Sequence, residues 1–257
     1  RYGAVPIYRR DPTPEELADP EVFVVDVDLV SDGRLHDFDH HQFGRDAEPL
    51  CALSLVLQYL GQDLEKVRRI WPWLRFTEEL DSKGPFFVAK RLGLGRDAFA
   101  ETLSPVESGV LHMFESETML FPECLVVRLL EAIGKDKLAY LDMIQERLAR
   151  LQSEAVFVPV PSHNFELCDA RCIPGGDQPV MGLELFLQAL PDKDVPVTLT
   201  NDDRATGLCL FRRNDDPRID LSRIDGLPGV RFAHRGGFVA KLEPETDPVL
   251  LLEAAIL

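Results

Sequence analysis

The stretch Leu35-His36-Asp37-Phe38-Asp39-His40-His41-Gln42 gathers three imidazoles and two carboxylates within eight residues, shortly after the apolar run Val22-Phe23-Val24-Val25 and its sequel Asp26-Val27-Asp28. Carboxylate and neutral imidazole together suit a divalent ion of intermediate hardness, Mn²⁺ or Mg²⁺ with some nitrogen ligation. A polar surface turn behind an ordinary strand is the plain alternative. A further carboxylate from the segment Glu78-Glu79-Leu80-Asp81 could close the coordination sphere. Two such ions, about 3.5–4 Å apart, would polarise a phosphoryl group and activate a water for in-line attack.

Those side chains need elements to hold them. Val22 to Val27 is almost continuously apolar and β-branched, which predicts a central parallel strand covered on both faces, with Asp26 at its carboxyl end, where open sheets collect ligands. Pro49 then predicts a helix over Leu50–Leu60 closed by Gly61, followed by amphipathic helices over Leu64–Trp71 and Leu74–Leu80. Glu78 and Glu79 read as a solvated helix face. His36 and Asp37 read as solvated loop, and Asp28 as either a ligand or water-facing. Upstream, Ala4–Tyr8 reads as a short strand, and Thr13 caps a short helix opened by Pro14. Further helices are expected over Ser104–Glu115, over Phe121–Ile133 ended by Gly134, and over Lys135–Leu151. In the last of these Leu138, Leu141, Ile144, Leu148 and Leu151 form a core stripe, or alternatively a partner-binding face. From Ala155 the pattern turns to short strands, Val156–Val160, Val195–Leu199 and Leu208–Phe211, with helices over Val180–Leu190 and Val249–Ile256. The expected fold is α/β. A parallel-sheet domain with a helical extension spans residues 1–153, and a smaller α+β domain spans 154–257.

Composition sets the outer bounds. With 257 residues, 45% of them apolar and 28% charged, the chain has the make-up of a globular protein of one large or two ordinary domains. A net charge of −16 argues against gripping long duplex nucleic acid through a basic surface, and leaves small phosphate esters held by bound cations open. Five cysteines form no disulfide framework and fit a reducing cytoplasm; Cys168 and Cys172 read as structural rather than zinc-binding. No apolar run reaches membrane-spanning length, so no membrane partner is expected. Monomer and homodimer both remain open.

Taken in order, Val24-Val25-Asp26-Val27, Asp39-His40-His41-Gln42 and Glu79-Leu80-Asp81 resemble the second, third and fourth motifs of the DHH phosphoesterase superfamily. The Myg-type branch, the melanocyte-proliferating-gene product and its bacterial relatives, is the most similar. Ile224-Asp225-Gly226-Leu227-Pro228-Gly229-Val230, then Phe232-Ala233-His234-Arg235-Gly236-Gly237-Phe238, resemble that branch's Gly-Ile-Pro-Gly and Phe-Val-His-x-x-Gly-Phe blocks. The resemblance covers both ends of the chain and is weak in the helical middle. It implies a metal-dependent phosphodiesterase or exonuclease-like hydrolase using Mn²⁺ or Mg²⁺, two ions in the complete protein, on a nucleotide or short oligonucleotide.

Carried over by position, Asp26, His40 and Asp81 would be metal ligands. His41 would face the substrate phosphate, and Asp39 would support the loop. His234, Arg235, Gly236 and Gly237 would clamp the substrate from the second domain. Two departures stand out. Nothing before Asp26 supplies the superfamily's first ligand motif, which is expected upstream of Arg1. Asp28 also stands where Myg-type proteins carry glycine. The competing expectation is a catalytically impaired DHH-fold binding or regulatory protein. A weaker one is a pyrophosphatase-like enzyme, which would need Arg231, Arg235 and Lys241 to face the metals.

Overall fold

The computed structural model describes residues 5–27, 36–41, 43, 46–95, 104–116, 118–173, 180–202 and 206–257. Asp28, Leu35, Gln42, the turn 174–177 and Asp203 lie outside the described residues. The fold is mixed α/β, and the chain divides into two compact units, Arg1–Ala139 and Tyr140–Leu257.

In the first unit, β1 (Ile7–Tyr8) is followed by α1 (Pro14–Ala18). Thr13 accepts from the Glu16 backbone N–H while the Glu16 carboxylate accepts from the Thr13 N–H, a capping box that the sequence spells out. Next come β2 (Val24–Val25) and β3 (Asp37–Phe38), paired in parallel. Four helices follow: α2 (Ala52–Tyr59), α3 (Leu64–Ile70), α4 (Pro72–Lys83) and α5 (Pro85–Arg91). Gly84, at φ +85, lets α4 stop and α5 start within one residue, a backbone conformation that strains any residue bearing a Cβ. After α6 (Pro105–Glu115), β4 (Met119–Leu120) pairs antiparallel with β1.

Three expectations change here. The Val22–Val27 run forms only a two-residue strand, with Val24 buried and Val25 48% exposed, so it is not sandwiched between two layers. Each sheet of this unit has two strands among the described residues, and only β2–β3 is parallel. The helices over 121–133 and 135–151 are one helix, α7 (Leu125–Glu154). Gly134 does not end it. A glycine costs about 1 kcal/mol inside a helix, and neither Ile133 nor Gly134 offers a side chain to cap a new start at Lys135.

The division between the units falls inside α7, upstream of the boundary expected near residue 153. Leu141, Ile144 and Leu151 are fully buried, and Leu148 and Leu151 pack into the second unit's core, so the stripe is a core face from Leu141 onward, while Leu138 is exposed.

The second unit is built on a six-stranded sheet in the order β5 (Val156–Pro159), β6 (Glu166–Asp169), β7 (Val197–Asn201), β8 (Leu208–Arg212), β10 (Val239–Leu242), β9 (Val230–Ala233). Only β6–β7 is parallel; every other pair is antiparallel. Alternation assigns the faces. Leu167, Leu199, Leu210 and Leu242 join α9 (Pro248–Ala255) in one apolar cluster, whereas Cys168 joins α8 (Leu183–Gln188) and the end of α7 in the other. Cys168 is wholly buried, and burial pushes its thiol up to about 12, which fits the structural role expected for it.

Candidate metal centre

The parallel pair β2–β3 brings two chain segments to one place. Asp26 follows β2 directly, and Asp39, His40 and His41 follow β3. The first segment ends under strain: Asp26 sits at φ +55, in the left-handed region, which an aspartate tolerates better than most residues but still at a cost of about 1 kcal/mol or more. Its carboxylate Oδ1 then lies 3.4 Å from Nδ1 of His40. On the other edge of the same ring, Nε2 lies 3.4 Å from Asp81 Oδ2, presented by the last turn of α4.

His40 is 6% exposed, and its Nδ1 has no hydrogen-bond partner. Leaving such an atom unsatisfied costs about 1–3 kcal/mol, and a buried imidazole set between two carboxylates offers that nitrogen as a ligand atom for a cation. The ligand atoms of Asp26, His40 and His41 all lie within 4.8 Å of one another. A separation of 3.4 Å is long for a hydrogen bond, but two donors bound about 2.1 Å from one ion stand about 3.0–3.4 Å apart. The donor set, carboxylate with imidazole, fits Mn²⁺.

His41 is fixed from behind. The wholly buried Asp39 accepts from both the backbone N–H of His41 and its ring Nδ1, the latter at 2.6 Å. That short bond holds the proton on Nδ1 and leaves Nε2 as the donor atom for an ion or a phosphate. The two imidazoles stack at 4.4 Å between centroids. Burial pushes the Asp81 carboxyl above its usual range, and the Asp26 carboxylate adds to that, against the pull of His40 and His41. A cation between them would relieve both pressures.

The sequence places Asp26, Asp39, His40, His41 and Asp81 in three separate stretches, and the fold brings all five together. Asp81 adjoins the group through His40 Nε2 and lies outside the three-donor set. Two assignments change. Glu78 is not solvated: it is fully buried, accepting from Ser54 Oγ at 2.5 Å and from Arg68 at Nε and Nη2. Glu79 is also largely covered and pairs with Arg91. Ser82 Oγ donates to the Leu50 carbonyl and accepts from its N–H. Glu78 and Ser82 therefore bolt the last turns of α4, and Asp81 between them, to the start of α2. The spacing 78, 81, 82 marks one face of a helix, a signal that charge alone obscured. His36 is likewise no free loop residue: its ring stacks on Phe23, and its nitrogens meet the Pro20 carbonyl and Tyr59 hydroxyl.

In the second unit His234 accepts from the Gly236 N–H at Nδ1 and lies against Phe238, with Arg235 exposed beside it. Gly237 has φ +68, and a Cβ there would come within 2.2 Å of Asp220 Oδ1. The glycine is thus required by its own turn, and the neighbouring carboxylate does not favour a phosphate at that point.

The strain at Asp26 gives a test. Asp26→Gly should leave the metal-free stability within about 0.5 kcal/mol, because relief of strain offsets the added freedom of the unfolded chain. Asp26→Ala should cost about 1 kcal/mol more than Asp26→Gly in urea melts with chelator present, and both should lose divalent-ion binding. No protein-family model, no curated protein and no solved structure matches this chain.

Proposed function

We propose that the protein is a metal-dependent phosphoesterase that hydrolyses a phosphodiester in a nucleotide or short oligonucleotide. The observation that carries this reading is the buried, unpartnered Nδ1 of His40 within the three-donor group of Asp26, His40 and His41. The motif order shared with DHH phosphoesterases supports it, as does the parallel β2–β3 pair, read here as part of that superfamily's parallel sheet. In this reading Asp26, His40 and His41 hold Mn²⁺ or Mg²⁺. The ion, when bound, supplies charge to the phosphoryl oxygens and makes a water acidic enough to attack.

The remaining work belongs to the chain's own groups. Asp39 keeps His41 in one tautomer and orientation. Asp81 Oδ2 stands 3.4 Å from Nε2 of His40, on the edge of the ring opposite the unpartnered Nδ1. Glu78 and Ser82 hold the α4 turn that carries Asp81. The net charge of −16 favours small substrates over long duplexes. Among the described residues no helix is long and apolar enough to cross a membrane, and a cytoplasmic setting is part of the proposal.

Mn²⁺-dependent hydrolysis of bis(4-nitrophenyl) phosphate tests the reading. Activity that chelator removes, and that His40→Ala lacks, is the expected result; hydrolysis equal in both proteins would sink it. Asp39→Asn should keep the fold and weaken Mn²⁺ binding about 10–100-fold, measured by titration against a fluorescent chelator.

A further inference from the structure

The exposed face of α5 joins aromatic rings to positive charge in a chain that is strongly acidic as a whole. From Ser82 to Gly95 the sequence carries Lys83, Lys90 and Arg91 and no Asp or Glu, against 44 acidic and 28 basic residues in the full chain. Helical spacing sorts the segment into two sides. Val88 and Ala89 are buried and pack with Phe76 and Leu80 of α4. Phe86, Phe87, Lys90 and Arg91 are exposed on the opposite side, where Lys90 follows the two phenylalanines at i+4 and i+3 and so stands beside both. Phe86 is 69% exposed and Phe87 46%. Single exposed apolar residues are ordinary, but two adjacent rings left open on a helix that already has a core face make a patch.

Position and chemistry narrow the partner. α5 packs on Leu80, the neighbour of Asp81, and Phe86 follows Asp81 by five residues, a reach of at most about 18 Å. The face is therefore set close to the candidate metal centre. Aromatic rings with a cation beside them suit a single nucleic-acid strand, because every base has a π-face to stack and every phosphate a charge to meet. A duplex keeps its base faces covered, and a net charge of −16 repels its long backbone. An anionic lipid surface is a poorer fit: it is held mainly by several cations acting together, and Arg91 is already paired with Glu79.

We propose that Phe86, Phe87 and Lys90 form a strand-binding surface, on which the two rings stack bases of a single-stranded oligonucleotide and Lys90 meets its backbone. The proposal deepens the phosphoesterase reading and rests on it for placing the cleaved phosphate at Asp26, His40 and His41.

The test is fluorescence anisotropy of a labelled oligothymidylate of about six nucleotides, titrated with the full chain at low salt, with chelator present so that the strand is not cut. Saturable binding is expected, about tenfold weaker in Phe86→Ala and in Phe87→Ala and retained in Phe86→Trp, which keeps a stacking face. In Lys90→Gln the slope of log affinity against log salt should flatten by about 0.7. An abasic strand of the same length should bind weakly and be indifferent to the phenylalanine variants. Both rings are open to water, so urea midpoints should match the parent's; if one alanine variant is unfolded, the other decides. No saturable binding, affinity unchanged in the alanine variants, or an abasic strand bound as tightly as the thymidylate would overturn the proposal. So would binding to phosphatidylserine vesicles that Phe86→Ala loses, in a protein that ignores the strand. The expected binding pattern in a protein that does not hydrolyse bis(4-nitrophenyl) phosphate would support the surface and count against the phosphoesterase reading alone.

Discussion

Glu78→Ala is expected to lower the unfolding free energy of the first unit by about 3–5 kcal/mol, the cost of breaking a buried ion pair from one side. The Glu78 side chain is 1% exposed and that of Arg68 8%. Between them run hydrogen bonds of 2.9 Å from Nε to Oε2 and from Nη2 to Oε1, with Ser54 adding a third contact to the carboxylate. Without Glu78, Arg68 keeps the exposed Glu65 and Glu48 and the Pro49 carbonyl, so the effect should fall toward the lower end of that range. Denaturant melts of the single and double variants separate the pair from its parts. Arg68→Met combined with Glu78→Leu should recover much of the loss, since an apolar pair of similar volume has no charge to desolvate. If Glu78→Ala costs less than about 1 kcal/mol, as at an ordinary surface ion pair, the buried network is not holding α4. A second readout follows from position. Asp81 lies one turn beyond Glu78, so the alanine variant should also bind Mn²⁺ more weakly while still folded.

The second large effect is ligand-linked. On the proposed reading, Mn²⁺ held by Asp26, His40 and His41 would bind the folded chain and not the unfolded one. At a free concentration a hundred times Kd it should therefore stabilise by about 2.7 kcal/mol. Calcium, with its preference for six to eight oxygen ligands, should do much less at a group in which two of three donors are imidazoles. His40→Ala should abolish the Mn²⁺ shift in thermal melts. Equal shifts with Mn²⁺ in the parent and the variant would assign the stabilisation to some other acidic surface.

Much of the centre was legible because its signals are local. Asp39, His40 and His41 are consecutive, Asp26 ends an apolar run, and Asp81 closes a helix before a Gly-Pro break. Helix starts at Thr13 and Ser104 were also readable from capping side chains that accept from the first-turn amides. What failed depended on partners distant in sequence. Glu78 reads as solvated until Arg68 and Ser54 close over it. Val22–Val27 reads as a central strand, yet among the described residues only Val24 and Val25 form strand pairs, and Val25 is 48% exposed. The strands Glu166–Asp169, Val230–Ala233 and Val239–Leu242 are too short to announce themselves and exist through pairing in the large sheet. Gly134 misled because glycine marks a helix end only where the chain offers a cap, and none is present there.

The most direct test of the account is calorimetric titration of Mn²⁺ into the chelator-stripped chain at neutral pH, run in parallel on His40→Ala. The account predicts saturable binding in the parent, with protons released as the site loads, and none in His40→Ala. Binding of the same affinity in both proteins, or none in either, would contradict the claim that Asp26, His40 and His41 form a metal centre.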